Sequence, residues 1–204
     1  MDEENILISE IIDNSFDSSE EFGPTGPQNY NGHTGPTGPT GPPFPNSYSF
    51  PTFINAYSSS EQKIEKGGYI VFDNTNSLFG NCIHIPNTSE IYIWRPGYYS
   101  VYTSIFHMEA CQFSLLKNSQ FIAPVSTVGS FFGSSQNTNY FIIQLTEEDM
   151  ITPVEFSNTG YACKLQIVNN TRTSYIPYVT LIGSFSTGNQ LPQITASITI
   201  QSIV

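Results

Sequence analysis

The sequence predicts an all-β fold, two antiparallel sheets packed as a jelly roll, and three observations carry that expectation. From about residue 50 the chain runs in short alternating segments rich in Ile, Val, Tyr, Phe and Thr, side chains that suit a pleated, half-buried surface. Turn-forming clusters recur between those segments. No stretch has the apolar spacing of an amphipathic helix, and only Thr146 to Met150 suits a helical turn.

Taken in order, strands are expected near 51–57 and 69–73, the second ended by Asp73-Asn74-Thr75-Asn76. Strands near 82–85 and 91–94 lie either side of Pro86-Asn87, and Pro96-Gly97 precedes a long one near 98–107. The next, 112–117, runs into Lys117-Asn118-Ser119; those near 139–145 and 151–156 flank the Thr146 to Met150 turn. Ser157-Asn158-Thr159-Gly160, Asn169-Asn170 and Thr187-Gly188-Asn189 then separate strands near 162–168, 176–185 and 194–203. Two antiparallel sheets of this kind must cover their edges or keep them short. The load of twelve Tyr, fifteen Phe and one Trp fills the core and leaves aromatic surface for an interface between chains.

Upstream lies a different grammar. From Gly23 to Pro43 the chain reads as seven triplets with Gly in phase at 23, 26, 32, 35, 38 and 41, and Asn29 as the single exception. A period of three with Pro beside Gly is the pattern of the collagen triple helix, in which only Gly fits at the crowded axis. A Pro-rich linker has no reason to keep that phase. The repeat therefore implies three chains. Its unbroken part, Gly32 to Pro43, extends only ~37 Å at ~3.1 Å per residue, too short to trimerise unaided, so the β head must supply the association. The organisation is a disordered acidic leader at 1–22, a collagen-like stalk at 23–43 and a trimerisation head at 44–204.

Of the formal net charge of −11, −8 falls before the repeat and −3 after it. No basic footprint points to nucleic acid. No apolar run approaches the ~20 residues of a membrane-spanning helix, and the acidic N-terminus is unlike a secretory signal. The leader buries too little apolar surface to fold alone, yet Ile6-Leu7-Ile8 and Ile11-Ile12 among its acids favour a docking segment over a purely solvating one. Cys82, Cys111 and Cys163 are odd in number and lack C-x-x-C spacing, which fits buried strand thiols rather than a disulfide framework or a zinc site.

Several motifs together resemble a family. Ile91-Tyr-Ile-Trp-Arg-Pro96-Gly97-Tyr-Tyr99-Ser-Val101 resembles the I-x-I-x-x-P-G-x-Y-x-V strand pair of trimeric jelly rolls related to tumour necrosis factor and the complement recognition heads. Gly68-Tyr-Ile70-Val-Phe72, Leu145 to Ile151 and Ala196 to Ile200 are similar to other strands and turns of that family, with Glu148 where Gly is usual. Coupled to a GPT-rich repeat, this architecture resembles the collagen-like glycoproteins of the Bacillus exosporium. Ser15-Phe16-Asp17 ahead of Gly23-Pro24-Thr25 is similar to the leader of those proteins.

The resemblance implies a homotrimeric structural protein of the spore surface, made in the mother cell without a signal peptide. Its leader (Phe16, Asp17, Gly23, Pro24, Thr25) would attach it to a basal-layer or appendage protein. It also implies O-linked sugar on Thr25, Thr34, Thr37 and Thr40, all in the outward third place of their triplets; plain solvent exposure is the competing reading.

Catalytic constellations are not found in the sequence. His33, His84 and His107 have no ligand spacing, no nucleophile elbow surrounds any Ser, and Glu147-Glu148-Asp149 is expected to be a solvated turn. Neither an enzyme nor a cofactor is expected. The second functional class is a receptor- or glycan-binding tip, such as a phage fibre head or adhesin. Its recognition loop would be Thr127 to Thr138, with Phe131 and Phe132 at the centre.

Overall fold

Alternation with a period of two places side chains on opposite faces of a strand, and here it separates a continuous core from an outer surface. A computed structural model describes residues 51–131, 133–172, 175, 177–182 and 193–203. The expectations for the leader residues Phe16 and Asp17, for Gly23, Pro24 and Thr25, for Thr34, Thr37 and Thr40, and for Phe132 lie outside the described residues.

Fourteen strands occur among the described residues: β1 (Phe53–Ser58), β2 (Gln62–Glu65), β3 (Asn74–Phe79), β4 (Cys82–His84), β5 (Ile91–Ile93), β6 (Gly97–His107), β7 (Cys111–Lys117), β8 (Gln120–Phe121), β9 (Thr127–Ser130), β10 (Ser135–Leu145), β11 (Thr152–Pro153), β12 (Tyr161–Asn169), β13 (Tyr178–Leu181) and β14 (Ala196–Ile203). One sheet has the order β2-β13-β6-β14-β1-β3, with β10 along the other edge of β6; the second has the order β4-β5-β12-β7-β8, with β9 on β7 and β11 on β12. All strand pairs are antiparallel. The chain passes repeatedly between the sheets, β3 to β4, β5 to β6, β6 to β7, β9 to β10, β10 to β11 and β12 to β13. Strands adjacent in space are therefore often distant in sequence, as in the pairing of β1 with β14, and the fold is the two-sheet antiparallel jelly roll.

The core lies between the sheets. Ile54, Tyr99, Val101, Ile105, Phe141, Ile143, Ile198 and Ile200 from the first sheet meet Ile91, Ile93, Phe113, Leu115, Cys163, Leu165 and Ile167 from the second. Tyr99 is 1% exposed, and its hydroxyl donates to the Arg95 carbonyl at 2.8 Å, which satisfies the one polar atom it brings inside.

The expected strand at 69–73 is not one. Ile70 and Phe72 are buried as its apolar pattern requires, but the backbone makes only isolated bridges, Tyr69 to Val168 and Phe72 to Thr88. The Gln62 side chain takes the place of a neighbouring strand at Val71, its amide donating to the Val71 carbonyl at 2.8 Å and accepting from the Val71 N–H at 2.9 Å. Conversely β2 and β3, with the polar sequences QKIE and NTNSLF, are strands because β13 and β1 pair with them. The segment 151–156 shortens to β11. The stretch Thr127 to Thr138, expected to be a loop, is mostly strand: Thr127–Ser130 pairs with β7, and Ser135 onward pairs with β6. Backbone partners on both sides hold a Gly- and Ser-rich stretch extended, and the connector shrinks to 131–134.

The turn after β3 requires glycine at Gly80, whose φ is +83° and whose missing Cβ would lie 2.5 Å from the Pro51 carbonyl oxygen. Gly67 has nearly the same φ, +81°, with open space around it. Gly80→Ala is expected to cost at least about 2 kcal/mol and Gly67→Ala about 1 kcal/mol. Thermal unfolding of the two variants checks this ordering, and equal losses would contradict it.

Candidate functional site

The outer face of the first sheet is the part of the described surface that the sequence least explains by folding alone. On β6 the core side chains Tyr99, Val101 and Ile105 alternate with outward-pointing Tyr98 and Tyr102. On β10, Phe141, Ile143 and Leu145 point in while Tyr140 and Ile142 point out. Register brings the outward residues together: Tyr140 lies opposite Tyr102, and Tyr102 opposite Thr199 of β14; Tyr98 lies opposite Ile203. Further along the same face Phe53 of β1 and Phe79 of β3 stack with centroids 5.8 Å apart. Tyr98, Tyr102, Tyr140, Ile142 and Ile203 are 43–65% exposed. An antiparallel sheet with one face in the core ordinarily turns polar residues to solvent on the other. Here large apolar groups on three adjacent strands form a patch that, in isolation, leaves much apolar area wet.

Titratable side chains of the described residues do not converge. Among the described residues, no group of three or more His, Cys, Asp and Glu can hold a metal ion. His84 and His107 are buried strand residues on different strands, as the sequence suggests. His84 accepts from the Thr75 hydroxyl at 2.7 Å through Nδ1 and donates to the Thr88 carbonyl at 3.2 Å through Nε2; burial lowers its pKa against the opposing effect of that second bond. His107 donates through Nδ1 to the Glu109 carbonyl at 2.8 Å, and its Nε2 is buried without a partner among the described residues.

The acidic turn is a 3-10 turn over Glu147–Asp149. Asp149 accepts from the Thr146 N–H at 2.7 Å and pairs with Lys117 at 2.8 Å. Burial alone would raise its pKa, but the contacts with Lys117 and Thr146 outweigh that and hold it below the ordinary carboxylate value. Asp73 behaves likewise: desolvation is outweighed by hydrogen bonds from Ser60, Ser59 and Asn74. Both carboxylates tie turns together.

The three cysteines are free and buried in β4, β7 and β12. Burial raises the thiols of Cys82 and Cys111 to about 11 and that of Cys163 to about 12. They pack as small apolar side chains, and no nucleophile results. Of the proposed recognition loop, Phe131 is 85% exposed within the short connector between β9 and β10.

No protein-family model matches the chain, and no curated protein matches it in sequence. Among solved structures it is similar to the globular domain of zebrafish complement 1qA protein, with TM-score 0.47 and 9% identity over 75% of this chain and 96% of that one. Murine APRIL at pH 8.5 gives TM-score 0.46 and 7% identity over 75% and 99% of the two chains, and Eiger TNF from S. frugiperda gives 0.48 and 9% over 76% and 92%. The fold assignment rests on this chain's own strand order.

Two solution outcomes follow. Native protein is expected to show no thiol that reacts quickly with an alkylating reagent at pH 8, all three reacting on unfolding; a fast-reacting native thiol would contradict the burial. His84, Asp73 and Asp149 have folded pKa values below their unfolded ones, so the stability they add is present above the unfolded values and lost as pH falls through the folded ones. Stability should therefore decline first below about pH 6.5, the unfolded histidine value, and again below about 4. His84→Gln should remove the first decline in a pH series of melting temperatures and leave the second.

Proposed function

We propose that the chain is a non-enzymatic structural protein of the bacterial spore's outer layer, a homotrimeric filament that modulates surface properties and adhesion. Residues 1–22 anchor it to a basal-layer or appendage protein of the exosporium, residues 23–43 form a collagen-like stalk, and the jelly-roll head closes the trimer. The observation that carries this reading is the patch formed by Tyr98, Tyr102, Tyr140, Ile142 and Ile203, in register on three adjacent strands. A collagen repeat requires three chains and is too short to assemble them. The patch is where a head lacking other cover buries apolar area against its copies, and Tyr supplies large contact at small entropic cost. The repeat ends at Pro43 and β1 begins at Phe53 in the sheet that carries the patch, so the connection between stalk and trimer face is short in sequence. The leader motif at Phe16 and Asp17 and the threonines Thr25, Thr34, Thr37 and Thr40 support the spore-surface reading through the resemblance already described.

Light scattering is expected to give a trimer for the full chain and a monomer, still folded by circular dichroism, for the double variant Tyr102→Arg, Tyr140→Arg. A monomeric wild-type chain would overturn the filament. Deleting residues 1–22 should leave the trimer intact and abolish incorporation into the spore's outer layer, whereas normal incorporation would refute the anchor.

A second reading, a receptor- or glycan-binding tip, draws on the 85% exposure of Phe131. Under it, Phe131→Ala with Phe132→Ala weakens saturable binding to a glycan or cell surface without unfolding the head.

A further inference from the structure

The described part of the chain holds all six of the protein's cations, and four of them are accounted for or isolated. Lys117 pairs with Asp149 and Lys164 with Glu90, Lys63 lies 5.6 Å over the Tyr178 ring, and Arg95 stands in the connection between β5 and β6. Lys66 and Arg172 form no ion pair with any described residue, and the fold brings them to one groove. Two adjoining hollows, about 730 and 540 Å³, share Phe121, Asn170 and Arg172 as walls; Pro124 and Thr127 line the larger, and Lys66 lines the smaller. Among the described residues no Asp or Glu lines either hollow, although the chain carries seventeen acids against six bases. Phe121, on β8 opposite Leu116 of β7, is 63% exposed.

The polar wall is fixed in advance. The Asn169 side-chain amide donates to the Ile64 carbonyl at 2.9 Å and its oxygen accepts from the Thr171 hydroxyl and N–H, while the Asn169 carbonyl accepts from the Gly67 N–H at 2.8 Å. The Asn170 N–H donates to the Gln112 carbonyl at 2.9 Å, and its side-chain amide donates to the Ser114 hydroxyl at 2.8 Å, which in turn bonds Thr127 at 2.7 Å. That leaves the Asn170 Oδ1 buried in the wall without a hydrogen-bond donor among the described residues.

We propose that this groove binds an acidic carbohydrate. Two cations without an ion pair among the described residues fit a carboxylate or sulfate. An exposed aromatic ring offers an apolar face to sugar C–H groups, and amide and hydroxyl groups held in place fit a ring of hydroxyls, the mixture of apolar wall and few placed polar groups that small-ligand sites use. Nucleic acid is disfavoured, since two cations in a chain of net charge −11 neutralise too few phosphates. The groove lies on the second sheet and its loops, apart from the tyrosine patch of the first, and it needs neither the stalk nor the trimer.

Titration calorimetry on the full chain tests this with a heparin hexasaccharide, a hyaluronan hexasaccharide, neutral chitohexaose and a hexaglutamate peptide. Saturable binding of either acidic sugar, with none for chitohexaose and at least about tenfold weaker binding of the peptide, is the expected result; heparin alone would mark the group as sulfate, hyaluronan as carboxylate. Arg172→Gln, Lys66→Gln and Phe121→Ala should each weaken binding about tenfold, the size of one good contact, at unchanged melting temperature. In the unmutated protein, the bound sugar should protect Arg172 from phenylglyoxal. No binding of either acidic sugar, equal binding of the neutral sugar or the peptide, or binding indifferent to all three substitutions would overturn the site. A monomeric chain that binds the sugar would leave the groove standing and sink only the filament.

Discussion

The backbone pairing of β6 is the constraint on which the rest depends. Over residues 97–107 it is hydrogen-bonded to β10 on one edge and over most of its length to β14 on the other, so it has no free backbone groups to offer and its side chains decide everything else. Its inward set, Tyr99, Val101 and Ile105, closes the core against the second sheet. Its outward set, by the same alternation, is committed to the opposite face, and a shift of one residue would exchange the two. The core therefore fixes the position of Tyr98 and Tyr102, and through the β10 register that of Tyr140. An outer face made of those residues is a consequence of the packing inside.

The fold class, the long strand at 98–107 and the last strand could be read from composition and alternation because both are buried on one face and apolar in period two. What could not be read was strand structure that depends on a partner. QKIE in β2 and NTNSLF in β3 carry no apolar pattern, and 127–130 looks like a loop; each is extended because a neighbour distant in sequence supplies its hydrogen bonds. The inverse case is 69–73, where Ile70 and Phe72 gave the correct burial and the wrong backbone, since the Gln62 amide replaces a strand that is not there. The tyrosine face was half legible. Three tyrosines stand within 98–102, and only register shows that Tyr99 belongs to the core and its neighbours to the surface. The groove was not legible, because Lys66, Phe121 of β8 and Arg172 come from three segments distant in sequence that the fold alone brings together.

The two faces suit different tasks. The first sheet offers broad, aromatic, nearly uncharged area, which suits burial against copies of the same chain, where symmetry repeats each contact. The groove beside the second sheet is small, cationic and rigid, and three copies of it on one trimer would bind a polymeric ligand more tightly than one, through effective concentration. A structural filament whose head binds sugar would join the two functional classes that the sequence suggested separately, at a groove that takes in Thr127 of the 127–138 stretch.

The central claim is that the tyrosine face of the first sheet is covered by other copies of the chain. Hydroxyl-radical footprinting of the native full-length protein, read residue by residue in a mass spectrometer, tests it without any substitution. Tyr98, Tyr102 and Tyr140 are 54%, 43% and 65% exposed in a single chain, and Tyr175 is 94% exposed. The account predicts strong labelling of Tyr175 with protection of the other three, lost when the protein is diluted or unfolded. Labelling of all four in proportion to those exposures would contradict it.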